Sequence, residues 1–235
     1  MSFLTAEWRK LAFANYVIDP QLLAKYIPPK TELDFWQDKC FVSLVGFMFI
    51  NTKLLGMPIP FHRNFEEVNL RFYVRYNDNG TWKRGVVFIK EIVPKPAITF
   101  VANTIYKENY QTLKMSHQWK EFSDYREVSY QWFNYNKYQS FDLQAELESV
   151  PLVSGSEEEF ITEHYWGYSK ASKSTSFEYE VTHPKWECYP VRDYQITVDF
   201  DLLYGKEFVM LNDAVPTSVF LAEGSEITVE NKRKI

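Results

Sequence analysis

Polar and apolar side chains alternate with a period of two along residues 65–75, FEEVNLRFYVR, a pattern that predicts a β-strand with two different faces. One face is entirely apolar. The other carries four polar side chains, Glu67, Asn69, Arg71 and Tyr73. Such a row either meets water or lines a cavity, and the two alternatives imply different roles for the same residues.

A second strand is predicted over residues 81–93, TWKRGVVFIKEIV. The intervening NDNG segment is a turn signal, so the two strands are expected to form a β-hairpin. If NDNG is a four-residue turn, Glu67 lies opposite Lys90. In this register Lys90 shares its face with the polar row, whereas Glu91 points to the other side of the sheet.

Three short helices are expected among the strands. Asp19 and Ser156 are placed to cap the first two, with Glu159 completing a capping box, and a weaker candidate lies near residues 201–211. Residues 218–230 are expected to form a small hairpin with a turn at Gly224. Further strands are predicted over residues 36–50, 97–106, 125–135, 138–147, 176–183 and 194–200.

This order of elements predicts a mostly β (α+β) fold, an antiparallel β-barrel-like structure with two or three peripheral helices. No repeat, low-complexity tract or linker divides the chain, so residues 1–235 are expected to form a single domain. The aromatic fraction of 18% supports strands and supplies rings for an apolar ligand site.

Charge and composition limit the classes of partner and the location that we expect for this protein. The net charge of −5 disfavours nucleic acid, and the basic NKRKI tail is interpreted as a solvated end. The longest apolar run, residues 41–50, is half the ~20 residues of a membrane-spanning helix, and the charged N-terminal segment does not resemble a secretory signal. Cys40 and Cys188 are expected to be reduced, buried thiols in a cytoplasmic protein.

Several common active sites lack their sequence signals. The chain has eight glycines and no glycine-rich phosphate loop, and it has no G-x-S-x-G elbow. Its four histidines lack the spacing of a metal site. We therefore expect neither a metal nor a nucleotide cofactor.

Two interpretations of the polar row stay open. On a wet sheet face it forms a cross-strand ion pair contributing about 0.2–1 kcal/mol. Inside a barrel, Arg71 becomes an anion clamp, Glu67 an acid or base, and Asn69 and Tyr73 ligand contacts. Lys90 then stands in apolar surroundings that favour an amine nucleophile, unless its side chain extends to water.

A second polar group lies in NTIYKENYQTLKM, residues 103–115. Tyr106, Glu108 and Tyr110 share one alternation face. They are predicted to form a polar pocket wall, and an exposed strand face is the competing interpretation.

Five segments in order, FEEVNLRFYVR, RGVVFIKEIVPKPAI, ANTIYKENYQTLKM, FITEHYWGYSK and THPKWECYPV, resemble the uncharacterised bacterial YqjF-like family of the acetoacetate decarboxylase-like superfamily. The resemblance implies a barrel of antiparallel strands around a central cavity. In acetoacetate decarboxylases one of two adjacent lysines forms a Schiff base with a β-keto acid, and a glutamate helps to set up the site. Glu67 resembles that glutamate.

The lysine pair has no counterpart here. Tyr110 and Gln111 occupy the expected places, and Lys107 lies three residues earlier, on the opposite strand face. Without that amine the imine route is in doubt, and the fold can persist without the reaction.

The sequence therefore predicts an internal pocket that binds a small organic carbonyl or carboxylate molecule, and it leaves open whether the protein is an enzyme. The alternatives are a non-catalytic protein that binds an apolar ligand and a homo-oligomeric assembly protein.

Overall fold

The computed structural model describes residues 2–235. The strands are β1 (Leu4–Val17), β2 (Thr31–Leu33), β3 (Phe41–Leu54), β4 (Met57–Pro58), β5 (Phe65–Asp78), β6 (Thr81–Val93), β7 (Tyr110–Thr112), β8 (Lys114–Glu121), β9 (Arg126–Asn134), β10 (Lys137–Ala145), β11 (Val150–Pro151), β12 (Trp166–Lys170), β13 (Ser176–Thr182), β14 (Glu187–Thr197), β15 (Ser218–Val229) and β16 (Arg233–Lys234). The helices are α1 (Pro96–Val101), α2 (Glu157–Thr162) and α3 (Phe200–Tyr204), with a π-helix at Ala102–Tyr106 and 3-10 helices at Pro20–Leu23 and Lys206–Asn212.

Seven strands close into a barrel in the order β13, β12, β6, β5, β3, β1 and β15. Closure comes from β15, which pairs with β13 at Val181–Val229 as well as with β1. The mostly β, barrel-like prediction is confirmed. One detail differs from a purely antiparallel sheet, because β12 and β7 each pair with β6 in parallel.

A second sheet continues from the barrel through β14, which pairs with β15 and then with β10. β9 and β8 follow in antiparallel order. This sheet covers one side of the barrel together with α3, so the outward faces of several barrel strands are buried rather than wet.

Strand alternation creates two separate apolar cores. Phe13 and Phe47 point into the barrel, where they pack in one cluster with Tyr179. Ala12 and Met48, next to them in the chain, point outward and belong to the cluster that includes the second sheet. Strands buried on both faces have continuous apolar sequences. Burial of both faces of β3 therefore explains the apolar run at residues 41–50.

The helix predictions are confirmed at their caps. The Gln21 amide donates to Asp19 Oδ1 at 2.9 Å, and the Glu159 amide donates to Ser156 Oγ at 3.1 Å. The third candidate begins one residue early, as α3, and continues as a 3-10 helix.

Residues 97–106, predicted as a strand, are helical instead. Pro96 occupies the first turn of α1, where its missing amide proton costs nothing. The chain then tightens into the π-helix, which ends at Lys107 in a left-handed conformation with a φ of 59°. β-Branched and aromatic residues suggested a strand, and the proline start outweighs that preference.

The predicted hairpin at Gly224 is also wrong, because β15 runs through this residue as one continuous strand. Gly224 pairs with Arg9 of β1 and has a φ of +82°. A Cβ atom at this position would lie 2.0 Å from the Trp8 carbonyl oxygen. The glycine therefore permits close approach of two strands, not a reversal of the chain.

Both cysteines, Cys40 and Cys188, are buried free thiols, as predicted. Among residues 2–235, no helix is long and apolar enough to span a bilayer.

We predict that Gly224→Ala lowers the free energy of unfolding by about 3 kcal/mol, because strain at positive φ adds to overpacking against Trp8. Gly56→Ala is the matched control, with a φ of +81° and open space around it, and it should cost about 1 kcal/mol. Urea denaturation measures both losses. Equal losses would contradict the close-approach explanation.

Candidate functional site

The barrel encloses a cavity of about 240 Å³. All seven barrel strands contribute to its wall, together with α1 and the π-helix. Most of the wall is apolar and aromatic, and a smaller number of polar side chains complete it. Among the described residues, the wall contains no lysine, cysteine or serine.

The turn between β5 and β6 sets which side chains face each other. Asn79 and Gly80 form a two-residue turn, both at positive φ, and Asp78 pairs with Thr81. The predicted four-residue turn is therefore wrong. Two-residue turns of this type match the twist of paired strands, and the resulting register puts Arg71 opposite Phe88.

A β-bulge in β6 then exchanges the faces of two charged residues. Leu70 pairs with Lys90 and Arg71 with Phe88, so Ile89 is an extra residue in β6. Beyond it, Glu91 turns into the cavity and pairs with Asn69.

The predicted place of Lys90 in the pocket is wrong for the same reason. Its side chain lies outside the cavity wall, where Nζ donates to the Leu203 carbonyl oxygen of α3. Partial burial lowers the pKa of Lys90, but the amine has no access to the barrel interior.

Three carboxyl groups line the cavity, those of Glu67, Glu91 and Glu108. The first two residues are buried, and Glu108 is partly buried. Burial raises the pKa of Glu67 to about 7 and that of Glu108 to about 8, and it raises the pKa of Glu91 well above its usual range. Mutual repulsion adds to the effect of burial.

Neutral partners offset part of the cost of burying these carboxyl groups. Asn69 Nδ2 donates to Glu67 Oε1 at 3.0 Å, and the Tyr110 hydroxyl donates to Glu67 Oε2 at 3.2 Å. The Tyr179 hydroxyl donates to Glu108 Oε1 at 2.9 Å. Each bond lowers the pKa of the carboxyl group that accepts it, against the larger effect of burial.

Arg71 is the cation of this group, and the residue is only 8% exposed. The guanidinium carbon lies 5.2 Å from the centre of the Phe13 ring and 5.7 Å from that of Tyr73. Within residues 2–235, the Arg71 side chain has no hydrogen-bond acceptor or ion-pair partner, and its Nε is buried without one. Its charge lowers the pKa of Glu67 only through space.

Tyr73 lies behind the cavity wall rather than on it. Its hydroxyl donates to Ser43 Oγ at 2.7 Å, and its ring packs under Arg71. The predicted direct ligand contact by Tyr73 is therefore not supported by its position.

The structure brings together six of the eight candidate residues, namely Glu67, Asn69, Arg71, Tyr106, Glu108 and Tyr110. Tyr106 ends the π-helix and Tyr110 begins β7, with Glu108 between them. They reach one cavity through this irregular connection and not through the strand alternation that suggested them. Their roles stay predictions.

Sequence patterns missed Glu91, His164 and Tyr179 in the cavity wall. The bulge hid Glu91, and Tyr179 belongs to a strand distant in sequence. His164 follows α2, and its Nε2 lies 3.1 Å from Asp34 Oδ2. Burial lowers the pKa of His164 to about 4. Within residues 2–235, no group of three His, Cys, Asp or Glu side chains is placed to hold a metal ion.

A family model described as an uncharacterized conserved protein, DUF2071, matches residues 5–226. The chain belongs to the DUF2071 family. The uncharacterized protein YqjF of Bacillus subtilis (strain 168) is 34% identical over 82 residues, which are 34% of this chain and 32% of YqjF. The chain thus matches about a third of that relative's length. The predicted YqjF-like resemblance is confirmed.

Solved structures confirm the fold of this DUF2071 protein. Acetoacetate decarboxylase from Legionella pneumophila superimposes with a TM-score of 0.64 at 13% identity, covering 98% of this chain and 86% of the other. The enduracididine biosynthesis enzyme MppR complexed with pyruvate gives 0.69 at 10% identity, covering 100% and 91%. At these identities the likeness establishes an acetoacetate decarboxylase-like fold alone.

We predict that the free energy of unfolding falls as pH rises from 6.5 to 8. Unfolded carboxyl groups are already ionised in this window, whereas Glu67, Glu91 and Glu108 have raised pKa values in the fold. The folded state therefore binds more protons, and stability decreases with pH. His164, with its lowered pKa, has the opposite effect on stability, mainly below its unfolded value near 6.5.

Glu91→Gln should flatten this slope by up to about 1.4 kcal/mol per pH unit, since it removes one retained proton. Glu121→Gln, at an exposed position of β8, is the control and should leave the slope unchanged. Urea titrations at several pH values measure it. An identical slope in wild type and Glu91→Gln would contradict the assignment of a raised pKa to Glu91.

Proposed function

We propose that this DUF2071 protein binds a small organic molecule with a carboxylate or carbonyl group in the barrel cavity and moves a proton on it. The observation that carries the proposal is Arg71 in the cavity wall, whose buried Nε has no hydrogen-bond partner and whose guanidinium has no ion-pair partner within residues 2–235. The expected cytoplasmic location and homo-oligomeric state stay predictions.

The argument begins with the cost of an isolated buried charge. Arginine does not lose its proton in proteins, so Arg71 cannot become neutral as a buried carboxyl group does. Its nearest supports are the faces of two aromatic rings, which stabilise a cation less than an anion does. An incoming carboxylate supplies the missing acceptor and forms charge-assisted, bidentate hydrogen bonds.

Glu67 provides proton transfer beside that anion site. A pKa of about 7 leaves both of its protonation states populated near neutral pH, as general acid–base catalysis requires. For an oxo acid held by Arg71, the carboxylate of Glu67 takes a proton from the carbon next to the carbonyl. The C–H electron pair moves toward the carbonyl oxygen to give an enolate, and the carboxyl group later returns the proton.

The wall chemistry argues against an imine step. Schiff-base formation needs an amine, and the described cavity wall has no lysine, because Lys90 faces α3. Support for an oxo acid comes from the similar fold of MppR, which has been solved with pyruvate.

Non-catalytic binding of an apolar ligand is the second candidate. The favouring observation is the large aromatic part of the wall, which includes Trp8, Phe47 and Phe49 in mutual edge and tilted contacts. Such a ligand would not need Arg71, so the dependence of binding on Arg71 separates the two functions.

We predict that Arg71→Met weakens binding of pyruvate and acetoacetate by roughly 10- to 100-fold, because a charge-assisted pair is lost. Isothermal titration calorimetry measures the affinities. Arg75→Met is the control on the same strand, since Arg75 pairs with Glu32 away from the cavity. Equal affinities in wild type and Arg71→Met would rule out the anion site.

We predict that the wild type catalyses deuterium incorporation next to the carbonyl of bound acetoacetate or pyruvate in heavy water, and that Glu67→Gln lowers the rate about 100-fold. Proton NMR follows the exchange. Glu66→Gln is the control, because the adjacent Glu66 faces the other way and contacts His117. Exchange that persists in Glu67→Gln would assign the proton transfer to another group.

A further inference from the structure

A second polar contact faces the cavity at His164. Its Nε2 lies 3.1 Å from Asp34 Oδ2, and Arg84 Nε donates to the same oxygen at 2.7 Å. Because the ionised carboxylate only accepts hydrogen bonds, the proton of the neutral imidazole resides on Nε2. His164 Nδ1 is then a lone-pair acceptor.

This acceptor has no partner. Nδ1 of His164 is buried without a hydrogen bond within residues 2–235, although the ring lies in the cavity wall. The His164 ring packs against two aromatic rings, with its centre 4.7 Å from that of Tyr73 and 5.0 Å from that of Phe160. A buried acceptor left unpaired costs free energy, so a donor on a ligand is the natural complement.

Arg71 and His164 flank the same side chain. The Arg71 guanidinium carbon lies 5.7 Å from the Tyr73 ring centre and the His164 ring 4.7 Å from it. Both side chains also line the cavity, so a single ligand bound there is placed to contact both. Its two complementary parts are an anion for Arg71 and a hydrogen-bond donor for His164.

We infer that the cavity selects a short hydroxy acid, with its carboxylate on Arg71 and its hydroxyl donating to Nδ1 of His164. This inference rests on the proposed function and narrows its ligand class. Asp34 acts as a positioning residue, because it fixes the tautomer that leaves Nδ1 free. An oxo acid reaches the same arrangement as its enol, which forms when the Glu67 carboxyl group returns the proton it has taken to the enolate oxygen instead of to carbon.

Matched ligand pairs test the inference by calorimetry: lactate against propionate, and 3-hydroxybutyrate against butyrate. For at least one pair, the wild type should bind the hydroxy acid about tenfold tighter or more, because its partner leaves the buried acceptor unpaired. His164→Phe keeps a ring between its aromatic neighbours and should abolish this preference while preserving affinity for the simple acid.

His183→Phe is the matched control. His183 also lies in the cavity wall, but its Nδ1 already contacts the Pro184 carbonyl oxygen at 2.9 Å and its ring stacks on Trp186. This variant should keep the preference for the hydroxy acid.

A measurement on the wild type covers the case in which His164→Phe does not fold. In protein with ¹⁵N-labelled histidine, the hydroxy acid should shift the resonance of the unprotonated His164 nitrogen, and the simple acid should not. Equal binding of both members of every pair, still dependent on Arg71, would overturn the inference and leave the proposed function standing. Binding of no acid at all would refute both.

Discussion

The cost of burying charge governs the interior of this barrel. Carboxyl groups meet that cost by keeping their protons, and Glu67, Glu91 and Glu108 all have raised pKa values. A guanidinium has no such option. Arg71 is therefore the group whose charge persists in the cavity whatever the pH, and the aromatic faces beside it only partly replace water. This imbalance, rather than cavity size, defines the chemistry of a fitting ligand.

Strand geometry places these groups in the cavity. It has two components, the alternation along β5 and the bulge in β6, and the sequence predicts only the first. The alternation along β5 could be predicted from the sequence, because a period of two depends only on local order. The odd-numbered residues from Glu67 to Arg71 do face the cavity. The bulge at Ile89 could not be predicted from the sequence. One extra residue exchanges the faces of Lys90 and Glu91, and no local composition marks where a strand takes it up.

Elsewhere the sequence was least informative where distant strands impose the conformation. Gly224 resembled a turn residue, yet its role depends on the approach of Trp8, more than 200 residues away in the chain. The segment at 97–106 had strand-like residues, and a proline start with a π-helix prevailed. That π-helix matters for the site, because it delivers Tyr106 to the cavity.

The comparison with acetoacetate decarboxylase separates architecture from reaction. At 13% identity the two chains share the barrel, which depends on apolar alternation and tolerates many sequences. The residues that line the cavity are less tolerant of substitution, because an imine forms only where one of them supplies an amine. In this DUF2071 protein Tyr110 lies in the wall and donates to Glu67, so this carboxyl group has a neutral hydrogen-bond partner.

Tyr73 connects Arg71 to the rest of the fold. Its hydroxyl donates to Ser43, whose own hydroxyl donates to Asn15 Oδ1 at 2.6 Å, so three neighbouring barrel strands hold it in one position. Arg71 and His164 lie against its ring. A buried, fully bonded network of this kind resists rearrangement. The spacing between the cation and the free imidazole nitrogen is therefore set before any ligand arrives, and such preorganisation lowers the entropic cost of binding.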